Sequence, residues 1–476
     1  MFQAIVNIFK IGELRSKVLF TLGMLVVYRI GFWIPVPGVN QSALKQFFEQ
    51  QVSNETGAGR LVSFVAIFSG GQLGRSTIFG LGIMPYISAS IILMILAQVY
   101  EPLKKIKDEG PTGQQKITEW TRYITIGLCL LQGFGWLAYI NRSGLIYPQW
   151  ASNPLWWVMA IIAMTAGTTF LMWLGEQIDR FGIGNGVSLL ITAGILARMP
   201  QAFTWVVNNS PIGQFEIVRN VLNIGAQDEP ALSWMGVILL AASFVFVVAG
   251  SVIMTVAQRR IPIQQAKHTR GRRVYGGQRS YLPLRVNHGG VMPIIFASSL
   301  MIFPSAILGW MANAAQNSTG WWGATTRFLS DSFAMGEYPY VFAYILMIYI
   351  FSYFWTTIQF NPEDMAKQLR DHGSFIPGLR PGPRTAQYLE TVLERLTYVG
   401  AGFLSVIAVI PMIVNRWMNV DFSVAQFLGG TGLLIVVAVG LDFIQWIEAH
   451  LVMRNYAGFL GADEKGRQTR VRGRIG

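Results

Sequence analysis

The residues able to do chemistry are few, and none is spaced for it. His268, His288, His372 and His450 are scattered, with no interval that turns two of them toward one metal ion. Cys129 is the single cysteine and lies in an apolar run, so neither a disulfide nor a cysteine metal site forms within one chain. No Walker loop, HExxH helix or GxSxG elbow occurs. Ionisable groups at the bilayer centre would mark an ion-coupled carrier or an intramembrane enzyme, because they are costly there unless used. The apolar stretches carry almost none. Arg29 lies in the first, Glu176 and Asp179 follow the fourth, and Asp442 and Glu448 close the last. Each can be a proton relay or, the commoner use, an interfacial or helix-packing charge. The chain reads as a passage without a motor, with no catalytic residue, metal or cofactor expected.

The pattern left to do work is apolar. Ile83, Ile87 and Ile91 recur every four residues and share one helix face. Such a stripe is usually ordinary packing. A narrow ring of branched apolar side chains can also hold back water and ions while yielding to a larger passenger. The element that must position it is Leu61 to Val99, too long and too interrupted to be one membrane helix. A short apolar piece stops at Ser69-Gly70-Gly71, and a long apolar run begins near Thr77. Irregular backbone at membrane depth is tolerated only inside protein or beside a water-filled cavity. The chain is therefore expected to surround a cavity that holds the short piece.

The rest of the sequence supplies the surround. Of 476 residues 52% are hydrophobic and only 13% charged, and the mean hydropathy is +0.42. That is the composition of an all-α polytopic membrane protein. A bilayer core of about 30 Å takes about 20 residues of apolar helix. Ten such stretches are expected, near 18–37, 77–99, 121–140, 155–175, 184–206, 233–257, 290–312, 338–359, 397–415 and 427–448. Lysine and arginine collect on one side: the N-terminus, the connections 100–120, 176–183, 258–289 and 360–396, and the tail 449–476. Short basic loops stay cytoplasmic, so both termini are expected there. The net charge of +13 fits that bias, and also nucleic acid, anionic lipid or an acidic partner. The start, MFQAIVNIFKIGELRSK, lacks the pattern of a cleavable signal; it suits a helix on the membrane surface or a frayed leader.

Two connections are too long merely to join helices. The 258–289 connection carries Arg259, Arg260, Lys267, Arg270, Arg272, Arg273, Arg279 and Arg285 and no acid, more charge than orientation needs. Both it and 360–396 hold turn-forming glycine and proline, and each is expected to project as a hairpin. The polar stretch 207–232 divides the chain into halves, 1–206 and 233–448, of five spans each. An odd number of spans per half opposes their orientations, so the expected architecture is two inverted five-helix halves around a central pore. No sequence repeat is visible.

Five strings make the reading specific. FSGGQLGRSTIFGLGIMPYISASI resembles the plug and second span of the SecY family, the pore subunits of Sec protein translocases. LMWLGEQIDRFGIGNGVSLLITAGI resembles the family's fourth-to-fifth connection, and GRRVYGGQRSYLPLRVNHGGVMPIIFASSL its arm and seventh span. FNPEDMAKQLRDHGSFIPGLRPGPRTAQYL resembles its eighth-to-ninth loop and GGTGLLIVVAVGLDF its tenth span. They fall in order along nearly the whole chain. The stretches near 207–232 and 313–337 look lengthened, and no role is assigned to them.

The resemblance implies an hourglass channel with an apolar constriction. By motif position the ring falls on Ile83 and Ile87 in GIMPYIS, Ile191 in NGVSLLI, Ile295 in VMPIIFA and Ile435 in GGTGLLI, with Ile91 or Ile410 as a sixth. It implies a plug at about 61–75, including Phe64, Phe68, the hinge glycines Gly70 and Gly71, and Arg75 facing a water-filled funnel. It implies a lateral gate between the second and seventh spans, with Ser88 and Ile91 facing Ser298, Ser299 and Phe303. Met94 stands where the family commonly has glutamine. Docking of a ribosome, through rRNA phosphates, or of the SecA motor ATPase would use Arg272, Arg273 and Arg380. Further implied partners are the small subunits SecE and SecG, signal peptides, nascent chains and membrane lipids, in a bacterial cytoplasmic membrane. The function expected is a protein-conducting channel for secretory polypeptides that also releases transmembrane segments into lipid. A secondary transporter with inverted repeats explains the topology equally well, but asks for a midplane ion or substrate site and leaves the basic loops idle. A membrane scaffold leaves the broken helix unexplained.

Overall fold

The structure is a computed structural model that describes residues 12–44, 46–47, 76–151, 153–211, 232–265, 268–270, 273–275, 279–314, 321–334, 336–418, 420 and 422–461. The first helix, α1 (Gly12–Gly31), lies earlier than the expected 18–37. Pro35 and Pro37 cannot continue a helix, and turns from Trp33 N to Ile30 O (3.0 Å) and Ile34 N to Gly31 O (3.3 Å) end it before them. The segment that follows lies against residues 76–78. Val36 N donates to Ser76 O at 2.9 Å and Ile78 N to Ile34 O at 3.0 Å.

The second span also begins later than expected. Ser76 sits at φ 42° and Gly82 at φ 60°, so residues 76–83 run through turns, and helix α2 covers only Met84–Val99, with Pro85 in its first turn. It then bends by 104° into α3 (Glu101–Asp108). Next come α4 (Pro111–Arg142), α5 (Pro154–Phe181), α6 (Gly186–Leu196) and α7 (Met199–Asn208). The predicted fifth span is thus two helices, interrupted at Ala197-Arg198 ahead of Pro200. At 32 residues α4 is about 48 Å long and takes in much of the basic 100–120 connection.

The second half opens with α8 (Trp234–Val256) and a β-hairpin: β1 (Gln258–Gln265), β2 (His268–Arg270), β3 (Arg273–Tyr275) and β4 (Arg279–Arg285). Helices α9 (Met292–Ala314), α10 (Trp321–Ser332), α11 (Tyr338–Gln359) and α12 (Pro362–Asp371) precede β5 (Ser374–Phe375). Helices α13 (Pro383–Met418), α14 (Phe422–Gly429) and α15 (Thr431–Gly461) close the chain. The 258–289 connection is the hairpin expected. The 360–396 connection is not a separate hairpin. Asn361 caps α12 by accepting from Glu363 N at 3.1 Å. Strand β5 then pairs antiparallel with β1, giving sheet order β4-β1-β5, and α13 starts at Pro383, well before the expected 397. Ile261 and Leu284 of the hairpin are buried with Ile376 and with Leu389, Val392 and Leu393 of α13, so both connections stand on one apolar patch.

Among the described residues seven helices are long and apolar enough to cross a bilayer, or eight if the bent pair α2–α3 counts as one span. Each of the ten predicted stretches overlaps a helix or helix pair. The main apolar cluster gathers buried residues of both halves, from α1, α2, α5 and α6 on one side and α8, α9, α11, α13 and α15 on the other.

Candidate functional site

The five predicted ring residues come from four elements that all reach this central cluster. Ile83 is the residue before α2, and Ile87 follows one turn on, its N–H donating to Ile83 O at 3.1 Å. Ile191 lies in α6, Ile295 in the first turn of α9 and Ile435 at the start of the second turn of α15. Their exposures are 4%, 6%, 7%, 2% and 1%, and all belong to the same buried cluster. Ile91 and Ile410 are half-buried and pack against it. All five side chains are thus shielded from water within a cluster that draws on both halves.

The neighbouring backbone is locked. Trp136 of α4 donates from Nε1 to Ser76 Oγ at 3.2 Å, fixing the turns ahead of Ile83. Gly167 of α5 lets Ile78 approach so closely that a Cβ there would lie 2.3 Å from Ile78 O. The position of Ile191 is set by the corner between α5 and α6. Asp179 accepts from Gly186 N at 2.7 Å and Asn185 from Ser188 N at 3.0 Å, so two side chains cap α6. A Cβ on Gly186 would lie 2.1 Å from Gly175 O. One turn before Asp179, Glu176 receives two hydrogen bonds from Arg122 of α4, at 2.9 and 2.7 Å. Both acids therefore serve packing. Asp442 lines a cavity of about 450 Å³ with Arg285, Gln445 and the cap residues Asn185 and Ser188.

Of the predicted gate residues, Ser88 is half-buried and Ser298 and Ser299 are buried. The two α9 serines donate to Ile295 O of their own helix, at 2.9 and 2.7 Å, which uses each hydroxyl hydrogen and leaves the oxygen as an acceptor. Phe303 lies within α9, and α2 and α9 share no extended packing. Phe64, Phe68, Gly70, Gly71 and Arg75, the predicted plug, lie outside the described residues, as does Arg272. Arg273 opens β3 and pairs in register with Arg270, and Arg380 is exposed beside β5. The hairpin base is tied to the membrane helices, since Val286 N donates to Ala257 O at 3.0 Å and Arg285 Nη2 to Gln445 Oε1 of α15 at 3.0 Å.

A family model described as SecY matches residues 77–444. The chain belongs to the SecY family. Protein translocase subunit SecY of Thermotoga maritima is 40% identical over 475 residues, covering 100% of both chains. The subunit of the same name from Chlamydia trachomatis is 39% identical over 474 residues, covering 97% of this chain and 99% of its own. That of Escherichia coli K12 is 40% identical over 456 residues, covering 94% of each. A solved protein-conducting channel superposes with TM-score 0.57 at 18% identity, over 92% of this chain and 93% of its own. A SecY structure solved to study its plug domain gives 0.58 at 19%, over 92% of each. At such identities the structures carry the fold alone: helices around a channel, as in SecY.

Within this SecY fold, sequence reading missed the Asp179 cap and the Arg122–Glu176 pair as positioning devices. The signal for the first was present, since an acid beside a Gly-Ile-Gly-Asn turn can reach the free N–H groups of the next helix. The second joins residues 54 apart and has no local signature.

Proposed function

We propose that this SecY-family chain is a protein-conducting channel of a cell membrane, closed at rest by Ile83, Ile87, Ile191, Ile295 and Ile435, through which unfolded secretory polypeptide passes. The observation that supports the reading is the near-complete burial of those isoleucines, drawn from both halves, within one large apolar cluster. Their low exposure supports a closed state. The segment at 61–75, outside the described residues, acts as the plug, as the resemblance of FSGGQLGRSTIFG to the family's plug implies. An apolar signal segment enters between α2 and α9, which share no extended packing, and apolar segments leave there into lipid. The ribosome or a SecA-type motor docks on the basic hairpin and on Arg380, and both termini and these loops face the cytoplasm of a bacterium. Small subunits of the SecE and SecG type complete the complex. The chain itself breaks no bond.

The reading is tested by reconstituting the protein with its small subunits in vesicles and adding motor, ATP and a labelled secretory precursor. Precursor protected from protease only when motor and ATP are both present is the expected result. Protection of a small solute or ion gradient-driven uptake instead would support the transporter alternative.

A further inference from the structure

The connection between α9 and α11 holds a helix whose faces are the reverse of those in water. In α10 the side turned into the protein is small and polar: Gly323 and Thr326 are buried and Ser330 half-buried. The exposed side carries an apolar arc, with Trp321 77%, Trp322 53%, Phe328 71% and Leu329 42% exposed around Thr325, and Arg327 and Asp331 exposed along one flank. At 100° per residue these four lie on one face, opposite Gly323 and Ser330. Thr326 donates to Trp322 O at 2.9 Å and Arg327 Nε to Gly323 O at 3.0 Å, so the polar groups are turned back onto the helix. A helix bathed in water would bury these aromatics and expose Thr326 along with Thr325.

The outward face continues a lipid-facing one. Helix α10 packs on α9 and touches α11, at the end of α9 remote from the basic hairpin. Tyr338, Phe342, Leu346 and Ile350 of α11, spaced four apart, are exposed along that membrane helix. Tyr338 stands at its first residue, six beyond Ser332, the last of α10. Tryptophan and tyrosine at the ends of membrane helices sit at headgroup level, and an amphipathic helix there lies in the interface plane.

We propose that α10 lies flat in the leaflet remote from the basic hairpin, with Trp321, Trp322, Phe328 and Leu329 set into the boundary between headgroups and acyl chains. The partner is phospholipid. The helix holds the far end of α9 at a fixed depth, so this span pivots about a lipid-anchored point when it moves. The inference stands independently of the ring and gate assignments.

Spin labels test it. With Cys129 replaced by Ala, single cysteines are introduced as Phe328→Cys, Trp321→Cys and Asp331→Cys. The full-length protein is reconstituted in phosphatidylethanolamine and phosphatidylglycerol vesicles. Labels at 328 and 321 are expected to collide with oxygen more than with a water-soluble nickel chelate, and the label at 331 to show the reverse. Nickel access at 328 and 321 equal to that at 331 would place the helix in water and overturn the proposal. Shielding from both reagents would overturn it too, because protein rather than lipid would then cover the face. The triple variant W321S/W322S/F328S, labelled at Leu329→Cys, should become nickel-accessible while the thermal unfolding midpoint stays unchanged.

Discussion

In the proposed channel, single side chains set how firmly the waist is shut. Ile435 is almost fully buried, and an amide of similar volume in its place would lie among apolar neighbours without a partner. Such a group costs about 1–3 kcal/mol, enough to shift a closed-to-open balance about fivefold to a hundredfold. Ile435→Asn should therefore pass precursors whose signal segments have been weakened by a charge, measured by their export relative to an intact signal. Unchanged stringency would remove Ile435 from the ring. His288 belongs to this scale as well. It lies between the hairpin and α9, its ring 4.3 Å from that of Phe360, and burial together with Arg285 pushes its pKa down to about 4. The unfolded chain then binds the proton more readily, so this histidine's contribution to stability is present above about pH 6.5 and is lost as pH falls toward 4. Detergent melting curves should show a steeper fall over that window for the natural protein than for His288→Gln.

At the scale of elements, helix ends rather than helix middles place the ring. Ile83 and Ile295 sit at or before the first turn of α2 and α9, and Ile191 and Ile435 are in the second turn of α6 and α15. Gly186→Ala should push α6 off α5, because the added carbon meets Gly175 O at 2.1 Å. The expected result is raised ion leakage through reconstituted vesicles with export of intact precursors retained, and leakage like that of the natural protein would show that the corner does not set Ile191. Much of this layout was legible. Apolar runs of about 20 residues located the ten membrane stretches, and the resemblance of motifs such as GIMPYIS and GGTGLLI to the SecY family pointed to the isoleucines. What was not legible is long-range or very short. The start of α2 moved from Thr77 to Met84 because Ser76 is held at positive φ by Trp136 and the 34–36 segment, and sequence spacing records neither contact. Strand β5 is two residues long and exists only because β1 offers it an edge. The alternation in QRRIPIQQ and RSYLPLR did carry a strand signal, matched by burial of Ile261, Ile263 and Leu284.

For the whole molecule, the two basic connections form one platform rather than two arms. Strand β5 joins the hairpin sheet, the patch on α13 supports both, and Arg285 links the hairpin to Gln445 of α15, the helix that carries Ile435 ten residues earlier. If ribosomal RNA is the partner, Arg380→Ala should weaken ribosome binding and lower the slope of log affinity against log salt by about 0.7–0.9, the share of one phosphate contact. An unchanged slope would assign Arg380 to a different partner. The central claim is that a polypeptide in transit threads the isoleucine waist. The most direct measurement is disulfide trapping of a stalled precursor carrying one mid-chain cysteine, with single cysteines placed at 83, 87, 191, 295 or 435 and, as controls, at the outward-facing Leu239 and Phe246 of α8. Adducts from the five waist positions and none from the α8 controls are predicted. Adducts from α8 with none from the waist would contradict the account.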